Sequence, residues 1–448
     1  MLVGALLLLP LLPTGSAAAA ERTVTLRTGP YTLGGFSVQR RTVRPPTPGV
    51  DGFITRMRAR IVDERGVPID PRRLMLHHLL FLNDGRFEGD RYDGTCTKLP
   101  RERFFGVGEE QQRLDLPAGY GYPIRAKDSW RMNWMLMNHR RTPDTAFIEF
   151  TMTIDDSPLQ PVKPLWLDVA GCGGGSIFSV PGGRGRGSTD RRSVSWTSPI
   201  DGRVVAGGAH LHGGAKGMLV SQPACGRHLF DSRPLYGFSD HPYYRVRPVL
   251  HEPGPIDSGW FKTATGLPVA AGETLKVTSL YDGERAHPAV MAIMHLYLAA
   301  GPPPRRCAPI PADLDARNRA VPGRRNPPRI KVPLTALNAG GRARDINRPD
   351  GKLRRFDGGT TVDVEDFEFA QPNISVPAGA TIRWRFRDRA LHNVTLANGP
   401  FGFASLHLSK DRVYKKRLKR PGTYRLFCSL HPVTMHQVAV VRGKKKQG

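Results

Sequence analysis

An all-β fold is what this sequence predicts, and three observations predict it. Apolar residues come in short β-branched and aromatic runs broken by Gly, Pro and Asp. Glycine (49) and proline (40) are abundant enough to end such runs every few residues. Runs with a helical period are scarce, and a 39% hydrophobic content over 448 residues is ordinary for a globular chain with room for two to four domains.

The elements follow in order. Residues 1–20, MLVGALLLLPLLPTGSAAAA, read as a secretory signal peptide with cleavage near Ala18–Ala20, although no Lys or Arg precedes the apolar run. That run is too short for a comfortable spanning helix, and no later segment is apolar enough. Residues 21–165 form a first β domain, with strands expected in 50–63, 73–83, 130–140 and 145–154. Residues 166–302 form a second, with strands in 203–214, 272–282 and 289–299. The Pro/Arg-rich stretch 303–358 lacks apolar periodicity and reads as a mostly extended linker. A third β unit spans 359–443, and 444–448 is a basic tail.

Charge and cysteines narrow the function. The 66 basic residues exceed the 39 acidic ones, giving a net +27, but they are scattered and no recognition motif accompanies them. That disfavours nucleic acid and suits an exported protein near anionic cell-envelope polymers. Of five cysteines, Cys428 sits in a metal motif; Cys96, Cys172, Cys225 and Cys307 are disulfide candidates with three possible connectivities.

The histidines point to copper. A blue-copper centre needs two imidazoles and a thiolate, with a weak axial ligand that is often Met. His392 precedes a loop carrying Cys428, His431 and Met435, with His436 as an alternative nearby. The order NISVPAGATIRWRFRD, HNVT, GTYRLFCSLHPVTM resembles the plastocyanin-like cupredoxins, which implies one-electron transfer.

Upstream lie His77-His78, His139, His210-x-His212 and the strand AVMAIMHLYLA. Neighbours on a strand face opposite ways, so His77 and His78 reach one metal only if the strand twists or bulges; alternatively one is a ligand and the other a core residue. His210 and His212 share a face. Alternation puts Val290, Ala292, Met294, Leu296 and Leu298 on an apolar core face, which leaves Met291 as the better ligand candidate. His228, His241, His251, His287 and His407 read as ordinary residues.

The order HH, H, HxH, M, with MLHHLLF, LPAGYGYPI, WMLMNHR and VMAIMHLYL as local words, resembles the copper type II, ascorbate-dependent monooxygenases over roughly residues 50–300. These include the peptidylglycine alpha-hydroxylating and dopamine beta-monooxygenases. The resemblance implies two tandem jelly-roll-like β-sandwich domains holding one copper each across a solvent-filled cleft, followed here by the cupredoxin Greek-key β-sandwich. His77, His78 and His139 would hold the electron-storing copper, and His210, His212 and Met291 the catalytic, O2-activating one. That makes about three coppers per chain, two type 2-like and one type 1 blue. The partners implied are a small-molecule reductant or redox partner protein and an unknown organic substrate. Gly208 stands where the peptide hydroxylase has its carboxylate-holding Arg, and Ile293 and His295 replace an Asn and a Tyr, so a peptidylglycine substrate is not expected. The expected activity is secreted copper-dependent C–H hydroxylation with a fused electron donor; the alternative is a non-catalytic secreted copper-binding or electron-transfer protein.

Overall fold

The computed structural model describes residues 21–85, 94–95, 101–171 and 175–443. The expected signal peptide, the basic tail, Cys96 and Cys172 lie outside the described residues. The fold is all-β: the one α-helix among the described residues is the four-residue turn Pro242–Arg245. No helix among them is long and apolar enough to cross a membrane.

A single ten-stranded sheet runs through both core units. Its first half comprises Glu21–Leu33, Asp144–Asp155, Gly52–Val62 and Tyr120–Ile124. It continues through Gln160–Asp168, Ala292–Ala300, Gly202–Leu211 and Trp260–Val269. The seam is a short parallel pairing of Gln160 and Pro161 with Tyr120 and Gly121. The boundary expected at 165/166 therefore falls inside the strand Gln160–Asp168, which pairs with the second unit along its length.

Two four-stranded sheets cover the halves of the large one. Val38–Val43, Trp130–Asn138, Leu74–Asn83 and Glu102–Gly108 form the first. Its Phe81, Trp130 and Trp134 pack on Ile54, Ile148 and Phe150 of the large sheet. Thr189–Thr197, Thr274–Asp282, Ala215–Gln222 and Arg227–Ser232 form the second. Alternation on the strand Ala292–Ala300 works as the pattern predicts: Val290, Ala292, Met294, Leu296 and Leu298 all enter the second core. The opposite face sends Tyr297 and Ala299 into the first core, so one strand serves both.

The C-terminal unit is a β-sandwich of a five-stranded and a four-stranded sheet around Trp384, Ile382, Tyr424 and Leu426. Residues 303–358 hold little regular structure, as a mostly extended linker would, and are anchored at several points. Cys307 is disulfide-bonded to Cys225. Asp315–Arg317 adds an edge strand to the large sheet. The Arg319 guanidinium donates to Asp257 at 3.0 Å and to the Glu110 carbonyl at 3.0 Å. The hairpin Leu334–Leu337 and Ala343–Ile346 packs on the C-terminal unit through Leu334, Phe427 and Val438.

Candidate metal centres

The C-terminal centre is built by one loop and one preceding residue. His392, Cys428 and His431 present ligand atoms that all lie within 4.8 Å of one another. The two imidazole Nδ1 atoms are 3.2 Å apart, and Cys428 Sγ is 3.5 Å from His431 Nδ1. Asp388 faces His392 Nε2 at 3.1 Å, which fixes the proton there and leaves Nδ1 as the donor atom. Asn393 N–H points at Sγ from 3.4 Å, and Asn393 and Ser429 brace each other at 2.8 Å. Met435 is fully buried with Cys428 in the same core. His436 is turned away, its Nε2 held by the Pro432 carbonyl at 2.9 Å. Burial pushes the Cys428 thiol up to about 11, so a thiolate here requires a cation beside it. Burial, and then His392, bring His431 down to about 4, leaving a neutral ring. This donor set fits copper.

In the core, the strand that carries the adjacent histidines is bulged. The pairing of Leu74–Asn83 with Trp130–Asn138 slips between Leu76 and His78, skipping His77. His77 and His78 thereby come to 5.3 Å between ring centroids instead of facing opposite ways. His210 is the penultimate residue of the strand Gly202–Leu211, and His212 follows the strand with its ring 5.1 Å away and perpendicular. The His77 ring is also 5.0 Å from that of His212, so the two histidine sets meet. The arrangement expected across a solvent-filled cleft is not what the fold produces. His139 is buried 6.4 Å from the ring of His251 and, through Nδ1, 3.2 Å from the Pro248 carbonyl. Met291 lines the same cavity as His77, His78, His210, His212 and His251.

Several partners escaped the sequence reading. His251 reads as ordinary in a Pro- and Tyr-rich loop, yet its ring is 5.0 Å from His77. Glu109 Oε1 accepts from His77 Nδ1 at 2.7 Å and from His251 Nε2 at 2.6 Å, and Oε2 accepts from Gly254 N–H at 2.7 Å. Glu110 accepts from His210 Nδ1 at 2.9 Å. The only sequence signal for these acids is an adjacent pair directly after an apolar strand. Gly108 is needed for close approach: a Cβ there would sit 2.5 Å from Glu110 Oε2 and 2.8 Å from His210 Cε1. Tyr281 accepts from His212 N–H and donates to the Met291 carbonyl, joining two candidate ligands through their backbones.

The electrostatics suit a metal. Burial lowers the affinity of His77, His78 and His212 for a proton and brings His139 to about 3, so these rings are neutral donors. Burial opposes the charge on Glu109, but His251 and His77 hold it well below the usual carboxylate range. Burial also opposes charge on His210, where Glu110 outweighs it and raises the pKa. His78 Nδ1, His139 Nε2, His210 Nε2, His212 Nε2 and His251 Nδ1 are buried without any hydrogen-bond partner. Orphaned polar atoms at this density are costly unless an ion completes them.

These groups open on a cavity of about 1160 Å³. Its walls include Leu80, Trp166 and Ile293 of the core, and Leu396, Leu406 and Phe427 of the C-terminal unit. The Gly208 position cannot carry an anchor, since a Cβ would meet Trp260 Cε3 at 2.7 Å and the Gly259 carbonyl at 3.0 Å. Around the Cys428–Met435 loop, Leu430 packs on the core cluster of Met75, Met137 and Tyr244, and Val433 packs on Leu250 and Phe36.

Comparison with known proteins agrees with two kinds of unit. Residues 179–301 match the family described as stress up-regulated Nod 19. Residues 357–442 match the copper binding proteins of the plastocyanin/azurin family. The probable copper-dependent oxygenase M1 of a Phoma species is 27% identical over 300 residues, covering 62% of this chain and 70% of that protein. The probable copper-dependent oxygenase clz3 of Cochliobolus lunatus is 27% identical over 229 residues, 48% of this chain and 66% of that protein. Amicyanin of Paracoccus denitrificans is 31% identical over 87 residues, 19% of this chain and 66% of that protein. The crystal structure of amicyanin from Paracoccus versutus aligns at 26% identity over 19% of this chain and 81% of that one, with a TM-score of 0.18.

Proposed function

We propose that this protein is a copper-dependent monooxygenase that hydroxylates a C–H bond with O2 and draws electrons through its plastocyanin-like domain. One observation carries the reading: buried imidazole nitrogens of His78, His210, His212 and His251 stand without partners on rings that line a cavity large enough for an organic substrate. Its similarity to proteins named as probable copper-dependent oxygenases supports it. Copper bound in these places would supply one-electron transfer at the C-terminal domain and O2 activation in the core.

The residues of the chain do the rest. Glu109, Glu110 and the Pro248 carbonyl hold protons on one nitrogen of each of four imidazoles and leave the other nitrogen as a donor. In the cavity wall Leu80, Trp166, Ile293, Leu396 and Phe427 offer contact to an apolar part of the substrate, while Arg40, Arg103 and Arg285 offer contact to polar or anionic groups. Val433 touches Leu250, the neighbour of His251, so the cysteine loop meets the core beside a candidate ligand. Tethering keeps that contact at high effective concentration. The Cys225–Cys307 disulfide supports a place outside the reducing cytoplasm, with a small reductant or a redox protein as donor. The net charge of +27 supports contact with anionic envelope polymers.

The test is reductant-driven O2 uptake by the copper-loaded protein. Uptake well above that of His210→Ala, and slowed by Cys428→Ser when the donor is a redox protein, is the expected result. Uptake no faster than that of His210→Ala would instead make this a copper-binding or electron-transfer protein.

A further inference from the structure

We propose that the cavity takes a substrate bearing a carboxylate, anchored by Arg40 at the cavity mouth so that its apolar remainder lies over Met135 toward His78. The inference rests on the reading of this cavity as a substrate site but not on the oxygenase reaction.

The first argument is register. Arg40 on Val38–Val43 stands opposite Met135 on Trp130–Asn138, and Met135 stands opposite His78 on Leu74–Asn83. Residues directly opposite in a ladder project from the same face. The neighbouring contacts agree. On this face Thr42 donates to Asn133 at 2.7 Å, whereas on the other the Arg41 guanidinium lies over Trp134, 5.9 Å from its ring centroid. Leu79, Trp134 and Leu136 of that other face fill the first core. Arg40, Met135, His78, Asn133 and Leu80 line the cavity. Two strand spacings, about 10 Å of backbone, separate Arg40 from His78, with the adaptable Met135 side chain between them.

The second argument is charge. Five cationic side chains line the cavity, Arg40, Arg103, Arg285, Arg329 and Lys331, against the two carboxylates of Glu252 and Glu284. Both acids are already engaged. Glu284 pairs with Arg329 at 2.7 Å, and Glu252 pairs with His287 at 2.6 Å and Arg285 at 3.5 Å. The Arg40 side chain has no carboxylate partner among the described residues; its hydrogen-bond partner is His407 of the C-terminal unit, with Nη1 3.3 Å from Nδ1. A guanidinium can only donate, so His407 Nδ1 accepts. Burial, and then Arg40, bring His407 down to about 4, so the ring braces the guanidinium without adding charge. The other N–H groups of the fork remain for a ligand, and their planar spacing matches a carboxylate.

The third argument is place. Gly208 cannot carry an anchor, since a Cβ there would meet Trp260 Cε3 at 2.7 Å. Arg40 stands on the opposite half of the core and is held from the C-terminal unit, which makes His407 a positioning residue for substrate.

The experiment is calorimetric titration of the copper-loaded full-length protein, without reductant, with decanoate and with decanamide, which share a chain but not a charge. Decanoate should bind roughly 10–100-fold more tightly. Arg40→Gln should erase that preference and leave decanamide binding as it was. His407→Phe should shrink the preference while keeping the ring's bulk, a selective loss that a merely structural role would not produce. Equal affinity for the two probes in the unmodified protein, or binding of neither, would overturn the anchor. So would a preference that survives Arg40→Gln, which would place the anion elsewhere on this basic chain. A preference that depends on Arg40 in a protein showing no reductant-driven O2 uptake would uphold the anchor and overturn the oxygenase, a separate failure.

Discussion

Glu109→Gln isolates the orienting carboxylate at nearly constant shape. The carboxylate accepts three hydrogen bonds, two on Oε1 from His77 and His251 and one on Oε2 from Gly254 N–H. An amide has a single acceptor oxygen. If that oxygen faces the imidazoles, the amide NH2 confronts the Gly254 N–H. If it faces Gly254, the NH2 meets His77 Nδ1 and His251 Nε2, which must give up their protons to accept. The protons then move to His77 Nε2 and His251 Nδ1, the two atoms these rings would otherwise offer to a metal. Loss of such an orienting partner weakens metal affinity by roughly 10–100-fold, or about 1.4–2.8 kcal/mol at 1.4 kcal/mol per tenfold. The metal-free fold should change less, because the substitution also removes a buried charge. The assay is competition with a copper chelator, following core copper by metal analysis and the blue absorption as an internal control. The variant should lose core copper at lower chelator concentration while the blue band persists. Core copper held with unchanged affinity would refute the orienting role of Glu109.

Removing the disulfide with Cys225→Ser and Cys307→Ser frees a loop closed across 82 residues. That should cost up to about 4.5 kcal/mol, read as a lower denaturant midpoint. His287 is fully buried between Glu252 at 2.6 Å and Asp282 at 3.7 Å, and although burial opposes its charge these acids raise it to about 9. A raised pKa stabilises the fold fully below the unfolded value of about 6.5 and loses that contribution as pH climbs through 9. Stability should therefore fall by roughly 3 kcal/mol over that window, and His287→Gln should flatten the decline in a pH series of unfolding curves. Cys428→Ser should abolish the blue absorption and leave core copper unchanged by metal analysis, since Cys428 belongs to a separate buried cluster.

Much of this was legible in the chain, for physical reasons. Short β-branched runs between turn residues gave the all-β class, and strict alternation put Val290, Ala292, Met294, Leu296 and Leu298 in one core. Adjacent histidines on a strand can reach one metal only if it twists or bulges, and the ladder does slip there. Long-range relations were hidden. Nothing local announces that Gln160–Asp168 joins two halves into one sheet, because parallel pairing leaves no turn between its partners. His251 lies in a loop without period, so only folding reveals its place against Glu109. The Pro- and Arg-rich 303–358 segment carries few apolar residues, and its anchors are a disulfide, guanidinium hydrogen bonds and short strand pairings rather than a periodic face.

The common strand Ala292–Ala300 has a mechanical consequence. Tyr297 and Ala299 are packed in the first core while Leu296 and Leu298 are packed in the second, and the Tyr297 hydroxyl donates to the Phe104 carbonyl across the junction at 2.7 Å. Swinging the halves apart would tear a buried aromatic from its socket and break a hydrogen bond with no water to replace it. The core has no hinge at this seam. Any widening of the cavity must then come from its third wall, where the C-terminal domain is fastened by side-chain contacts and by the 303–358 strap.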